Sequence, residues 1–390
     1  MNLTLRLAAL ALSALILDPS RDSSAAGPDS EGFEPLFNGR DLAGWVNVNC
    51  APGTWTVADG VIRCTGAPIG ELRTVRMYQN FVLELEWRHL KAKGNAGVFV
   101  WADALTARGQ PFIRGVEVQV LDGREGPGHT SDGDIFPIHG ARMVPMNGRG
   151  GDRAFPTEKR VKPSPEWNHY RIECVDGAIS LAVNGKVVTR GTEASPRKGY
   201  ICLESEGSPA EFRGLRIREL PAKAALRPDQ IAIPDEHHRS LYNGVDLAGW
   251  RDVDPAEPTA WKPRDWVLAS DGGEAGRPMI STDSHGDGVW VIDWRWPDAN
   301  RVGDWKALLR PRGVDLVPVL AGFPADWEQP AGQWNRGVFR FRGNRLEVEI
   351  NGRALNEGIV IHDAPATGGT VLWAPLRPVE VANLFLKALD

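Results

Sequence analysis

Helical periodicity is nearly absent from this chain of 390 residues, which excludes helical bundles and doubly wound α/β architectures. Cysteine is scarce, and its 4 copies include no pair at CxxC spacing, so a thiolate zinc site is excluded. Neither sign of charge collects: 45 Lys and Arg stand against 50 Asp and Glu, scattered to a net −5. No basic tract is left for nucleic acid and no patch for a membrane surface. Only one apolar run is long, Leu7 to Leu17, and it is too short for a permanent transmembrane helix. Arg6 precedes it and Ser24-Ala25-Ala26 supplies small residues behind it, so residues 1–26 read as a signal peptide. The expectation is an exported protein, periplasmic or extracellular, with no membrane attachment after cleavage.

What the chain does contain is repetition. Phe37-Asn-Gly-Arg-Asp-Leu-Ala-Gly-Trp45 returns as Tyr242-Asn-Gly-Val-Asp-Leu-Ala-Gly-Trp250. Glu86-Trp87-Arg88, Trp167-Asn168 and Val183-Asn184-Gly185-Lys186 recur in the same order as Asp293-Trp294-Arg295, Trp334-Asn335 and Ile350-Asn351-Gly352-Arg353. The closing segments Glu211–Leu220 and Glu380–Leu389 also correspond. Two copies of one fold are expected, at residues 33–220 and 240–390, joined by a proline-bearing linker at 221–239.

Each copy reads as strand. Phe81-Val-Leu-Glu-Leu-Glu-Trp-Arg alternates, and Tyr170–Val175, Ile179–Val183 and the turns at Asp176-Gly177 and Asn184-Gly185 form an antiparallel meander. With 43 Gly and 29 Pro supplying turns, the fold class is all-β, as two tandem sandwiches. The 15 Trp suit cores and sugar faces alike; those at shared positions read as scaffold. Among the four cysteines of the first copy, all in an exported chain where disulfides are permitted, Cys50 with Cys64 is the most local pairing, and free thiols are the alternative.

Four separated motifs give a resemblance to a known family. Phe37–Trp45, Gly94-Asn-Ala-Gly97, Val116-Glu-Val-Gln-Val-Leu-Asp122 and Glu211-Phe-Arg-Gly-Leu-Arg-Ile217 together resemble the 3-keto-disaccharide hydrolase domain. The resemblance implies a concanavalin A-like jelly roll for the first copy, and the second copy shares it only in outline. It also implies a glycoside oxidised at C3. Where many members carry Gln-Asp-His-Gly, this chain has Glu204-Ser-Glu-Gly207.

Subtracting the copies isolates what only the first has. Aligning Gly115 with Gly313 sets Glu117 against Asp315 but Gln119 against Val317, with Pro318 next in the strand, and aligning Gly199 with Gly368 sets Glu204 against Trp373 and Glu206 against Pro375. The first copy also inserts Gly123–Glu166, a long loop expected to fold over the sheet as a lid. Residues two apart on a strand share a face, so Glu117 points with Gln119, and Glu204 with Glu206. Clustered carboxylates push one pKa up and leave another ionised, as acid and base roles require.

Glu117, Glu204, His129 and His139 are therefore the expected catalytic groups. Gln119, Asn95, Trp101, Asp122, Asp134, Arg160 and Glu206 are the expected sugar contacts. His129, Asp132, Asp134 and His139 are also ligand types for a divalent cation, a second use of the same loop. The expected partner is a carbohydrate, cleaved by proton abstraction at C2, elimination at C1 and hydration; ordinary two-carboxylate hydrolysis is the variant. The rival reading is a non-catalytic carbohydrate-binding protein, with Trp305, Trp327 and Trp373 as stacking residues of the second copy. Export carries its own test: N-terminal sequencing of protein recovered from outside the cytoplasm is expected to begin just after Ala26, and a retained Leu7–Leu17 segment would overturn it.

Overall fold

The computed structural model describes residues 32–223, 225–273, 277–298, 304–354 and 358–389. The signal-peptide segment lies outside them. Among the described residues, no helix is long and apolar enough to cross a membrane.

The first half is a sandwich of two antiparallel sheets. One sheet runs Arg142–Pro145, Lys186–Ser195, Ala178–Val183, Asn168–Val175, Phe81–His89, Ala210–Glu219, Val61–Cys64 and Trp55–Ala58, with Glu34–Pro35 alongside Ala210–Glu219. The other runs Trp45–Val48, Gly70–Thr74, Tyr200–Ser205, Asn95–Ala102, Gly115–Leu121 and Ile135–Ile138. Alternation decides which side chains meet. Phe81, Leu83, Leu85 and Trp87 point inward against Leu72, Val98, Val118 and Leu203, all nearly inaccessible. The same period sends Glu84, Glu86 and Arg88 outward, where Glu84 binds Arg171 at 2.6 Å and Arg216 at 2.5 Å across neighbouring strands.

The second half repeats the strand order. Lys262–Arg264, Val267–Ser270, Val379–Ala388, Gly288–Arg295, Asn335–Arg342, Arg345–Ile350 and Arg353–Ala354 follow the sequence of neighbours seen from Trp55–Ala58 to Lys186–Ser195. Its second sheet has four strands, Trp250–Asp252, Met279–His285, Gly368–Leu372 and Leu309–Arg310. The repeated motif is a turn. Asn38 Oδ1 accepts from the amides of Arg40 and Asp41 at 2.8 and 3.0 Å, and Asn243 Oδ1 accepts from Val245 and Asp246 at the same two distances.

One expectation changes here and two open readings are narrowed. The segment aligned with the Glu117 strand, 313–319, is not a strand: Pro311–Gly313 enters it as a 3₁₀ turn with Arg312 at a φ of 53°, and Pro318 supplies no ladder N–H. The insertion after Gly123 is not structureless. Its Ile135–Ile138 extends the sheet beside Gly115–Leu121 and its Arg142–Pro145 joins the opposite sheet, so it wraps the sandwich edge. All four cysteines are buried and free.

Residues 228–239 of the expected linker are docked. Asp235 binds the fully buried Arg73 at 2.5 Å, and Ala104 N donates to Ile233 O at 3.0 Å. They lead to a contact between the halves, in which Phe99, Ile113, Tyr200 and Cys202 pack with Val291 and Phe385. Trp305 is a core residue stacked on Trp294, with ring centroids 5.6 Å apart, and Trp327 packs on Phe323. Trp373 lies under Arg310, whose guanidinium is 4.2 Å from the ring centroid. Trp87 makes an edge contact of 5.3 Å with Tyr170 at the centre of the first core. Trp87→Ala is expected to cost about 3–5 kcal/mol in urea denaturation of the first half.

Candidate functional site

The site lies on the outward face of the six-stranded sheet and follows from its register. Glu204 pairs with Glu71 on one side, Leu203 pairs with Val98 on the other, and Gly97 and Phe99 pair with Gln119 and Glu117. Burying Val98, Val116, Val118 and Leu203 in the core turns Glu117, Gln119, Glu204 and Gly97 to the other face. Gly97 makes the floor. A Cβ there would stand 2.9 Å from Glu204 Oε2 and 3.0 Å from Glu117 Oε1, so those two oxygens are separated by at most about 6 Å, the sum of the two distances.

Above this floor is a cavity of about 370 Å³, lined by Asn95, Phe112, Glu117, Gln119, Arg124, His129, Phe136, His139, Arg153, Glu204 and Glu206 among others. That is room for one sugar ring. Hydrogen bonds tie its polar rim into one chain. Asn95 Nδ2 donates to Glu206, Gln119 Nε2 donates to Asn95 Oδ1 at 2.9 Å, and Arg153 Nη1 donates to Gln119 Oε1 at 3.4 Å and to Asp134 Oδ2 at 3.0 Å. Arg153 also lies over the Phe136 ring, 3.4 Å from its centroid.

The carboxyls are electrostatically frustrated. Burial pushes Glu117 and Glu204 well above the usual carboxylate range; repulsion from Glu206 adds to both, and repulsion from Glu117 adds to Glu204. Burial also raises Glu206, against which the hydrogen bond from Asn95 works. Charge on one of three neighbouring glutamates opposes charge on the next, so the cluster favours protons shared among its carboxyls. Glu204 Oε2 is buried with no hydrogen-bond partner among the described residues. His139 is stacked on Phe112, with centroids 6.3 Å apart, and its burial pushes the imidazole pKa down.

Of the residues expected from sequence, Glu117, Gln119, Asn95, Glu204, Glu206, His129 and His139 converge on the cavity. Four do not. Trp101 is a core residue, fully inaccessible, donating its ring N–H to Gln79 O at 2.8 Å. Asp122 accepts from the Ser164 amide at 3.2 Å, and Arg160 donates to Val183 O and Asn184 O, so both brace loops. Asp134 is fully buried and serves Thr130 and Arg153. Those bonds occupy the carboxylate offered above to a cation, and among the described residues no three His, Cys, Asp or Glu side chains are arranged to hold a metal ion. Arg153, Arg124 and Phe112 were not singled out by sequence. The signal for Arg153 was its place in the insertion found only in the first half; Phe112 sits in a loop that carried none.

Glu71 lies behind Glu204 in the ladder, fully buried, with its carboxyl pushed up to about 8 by burial. A raised value means that the folded protein holds this proton more tightly than the unfolded chain. The stability it contributes is full below the ordinary value of 4.5 and is lost as pH rises to about 8. Glu71→Gln keeps an acceptor for Ile113 N and is expected to flatten the stability profile over that window, by up to about 1.4 kcal/mol per pH unit in urea denaturation.

A comparison with curated protein sequences finds no match. Among solved structures, a candidate glycosyl hydrolase from Parabacteroides distasonis is 25% identical over 50% of this chain and 96% of its own, with a TM-score of 0.40. A Bacillus subtilis carbohydrate binding module is 13% identical over 45% of this chain and 95% of its own, at 0.34, and a Bacillus licheniformis beta-glucanase is 14% identical over 48% and 97%, at 0.35. Residues 32–218 match the 3-keto-alpha-glucoside-1,2-lyase-like domain. That match covers the first half of the chain, which is similar to this carbohydrate-acting family.

Proposed function

We propose that the first sandwich cleaves 3-keto glycosides by elimination across C1–C2 followed by hydration. The observation that carries this reading is the meeting, in one sugar-sized cavity, of proton-sharing carboxyls with an arginine. A ketone at C3 acidifies the C2 proton. Glu117, as carboxylate, takes that proton, and the electron pair of the C2–H bond moves to an enolate whose charge lies on the C3 oxygen. Arg153, which lines the cavity beside Gln119, stabilises that oxygen. The enolate then collapses, the C1–O bond breaks, and the leaving oxygen takes a proton from Glu204, the buried neighbour across Gly97. Water adds its oxygen to C1 and its proton to C2, completing a net hydrolysis. Gln119 and Asn95, fixed to each other at 2.9 Å, orient ring hydroxyls. His129 lines the same cavity and is the alternative proton carrier.

Export supports a substrate met outside the cytoplasm, and the apolar run behind Arg6 supports export. The decisive assay compares a 3-keto glucoside with the plain glucoside for release of the aglycone. The wild type is expected to release it only from the 3-keto substrate. Glu117→Gln is expected to lower kcat by about 10²–10⁴-fold, and Arg153→Ala by about 10²–10³-fold. Binding of both sugars with release from neither would sink the enzyme reading and leave a carbohydrate-binding sandwich. Equal release from both would replace elimination by two-carboxylate hydrolysis.

A further inference from the structure

Subtraction can also be run in the other direction, for what the second half has and the first lacks. In the first half's closing strand the register breaks between Arg213 and Arg216, at Gly214 with φ 62°. The second half's closing strand breaks at the same place, and there the left-handed residue is Asn383, φ 50°. Glu86 and His169, half exposed in the first half, are matched by Asp293, fully buried, and Arg336. These three residues grip one loop of the first half. Asn383 Nδ2 donates to Ala107 O at 3.0 Å, Gln110 O at 3.1 Å and Asp293 Oδ2 at 2.7 Å. Asp293 Oδ2 also accepts from the Gly109 amide at 2.7 Å, and Arg336 Nη2 donates to Thr106 O at 2.9 Å.

Burying a carboxylate is costly unless it is paired and fully hydrogen-bonded, and here that cost goes into fixing loop backbone. The gripped segment ends in the cavity. Phe112 follows Gln110 by two residues and faces His139 in the cavity wall, and Ile113 N then donates to Glu71 Oε1 at 2.9 Å. Gly109 is fitted so closely that a Cβ would fall 2.0 Å from the Trp334 ring.

We propose that the second sandwich is a working part of the first one's site: Asn383 and Asp293 are positioning residues that hold Phe112 as an apolar wall against the C–H face of the bound sugar ring. The identity of the ligand rests on the functional reading above; the grip on the loop does not. Asn383→Gly is the sharp variant, because it installs the residue the first half uses and keeps the left-handed backbone. Hydrogen exchange at the amides of Gly109 and Ile113 is expected to accelerate about tenfold or more, while Val98 and Leu181 in the first core stay unchanged. KM for the 3-keto glucoside is expected to rise about tenfold with kcat changed far less, Phe112→Ala to match it, and the double variant to add nothing further. Gly109→Ala, which drives a methyl group into Trp334, provides a second route to the same result should Asn383→Gly fold poorly. Unchanged exchange at Gly109 and Ile113, or additive KM effects, would overturn the proposal. If the wild type cleaves no sugar, the functional reading fails alone and exchange still decides the grip.

Discussion

The carboxyls of the cavity are held in place by side chains that point away from them. Val98, Val116, Val118 and Leu203 fill the space between two sheets, and a strand that commits one face to a core has no freedom over the other. A slip of one residue in Gly115–Leu121 would turn Glu117 and Gln119 into the apolar core and three valines toward the cavity. The hydrophobic core therefore acts as the clamp that keeps acids close enough to share protons, and it supplies the energy that their mutual repulsion opposes.

Most of this was legible because the period of a strand is short. Glu117 with Gln119, and Glu204 with its flanking apolar residues, could be assigned a face from alternation alone, and the second half's departures at those positions marked them as dispensable to the scaffold. Asn95 and the two loop histidines came from motif and insertion. Trp101, Asp122 and Arg160 were misplaced because residue type does not encode facing near strand ends and in loops. Trp101 sits at a left-handed position, φ 54°, that turns its ring into the core. Arg153 was marked only by lying in the insertion, and Phe112 by nothing, since long-range packing brings both loops to the cavity.

The two halves illustrate how one strand order supports different work. The first half adds Gly115–Leu121 and Ile135–Ile138 to its smaller sheet and gains a site; the second replaces that region by turns around Pro311 and keeps a closed core rich in tryptophan. What the second half retains on its larger sheet is a surface suited to another protein surface, and the first half is what it binds.

That contact joins unlike faces: the outer side of a six-stranded sheet meets the outer side of a nine-stranded one. Such a contact is heterologous, and repeated from copy to copy it gives an open array rather than a closed pair. The surface that would extend the array is the outer face of the first half's own nine-stranded sheet. There Glu84, Glu86 and Glu211 are bound by Arg171, Arg216, Arg213 and Arg88, and Gly214 stands where Asn383 would reach out. That face is closed over by ion pairs, with Phe33 and Trp167 lying under its arginines, where the second half instead presents Asn383, Asp293 and Arg336 to a neighbour.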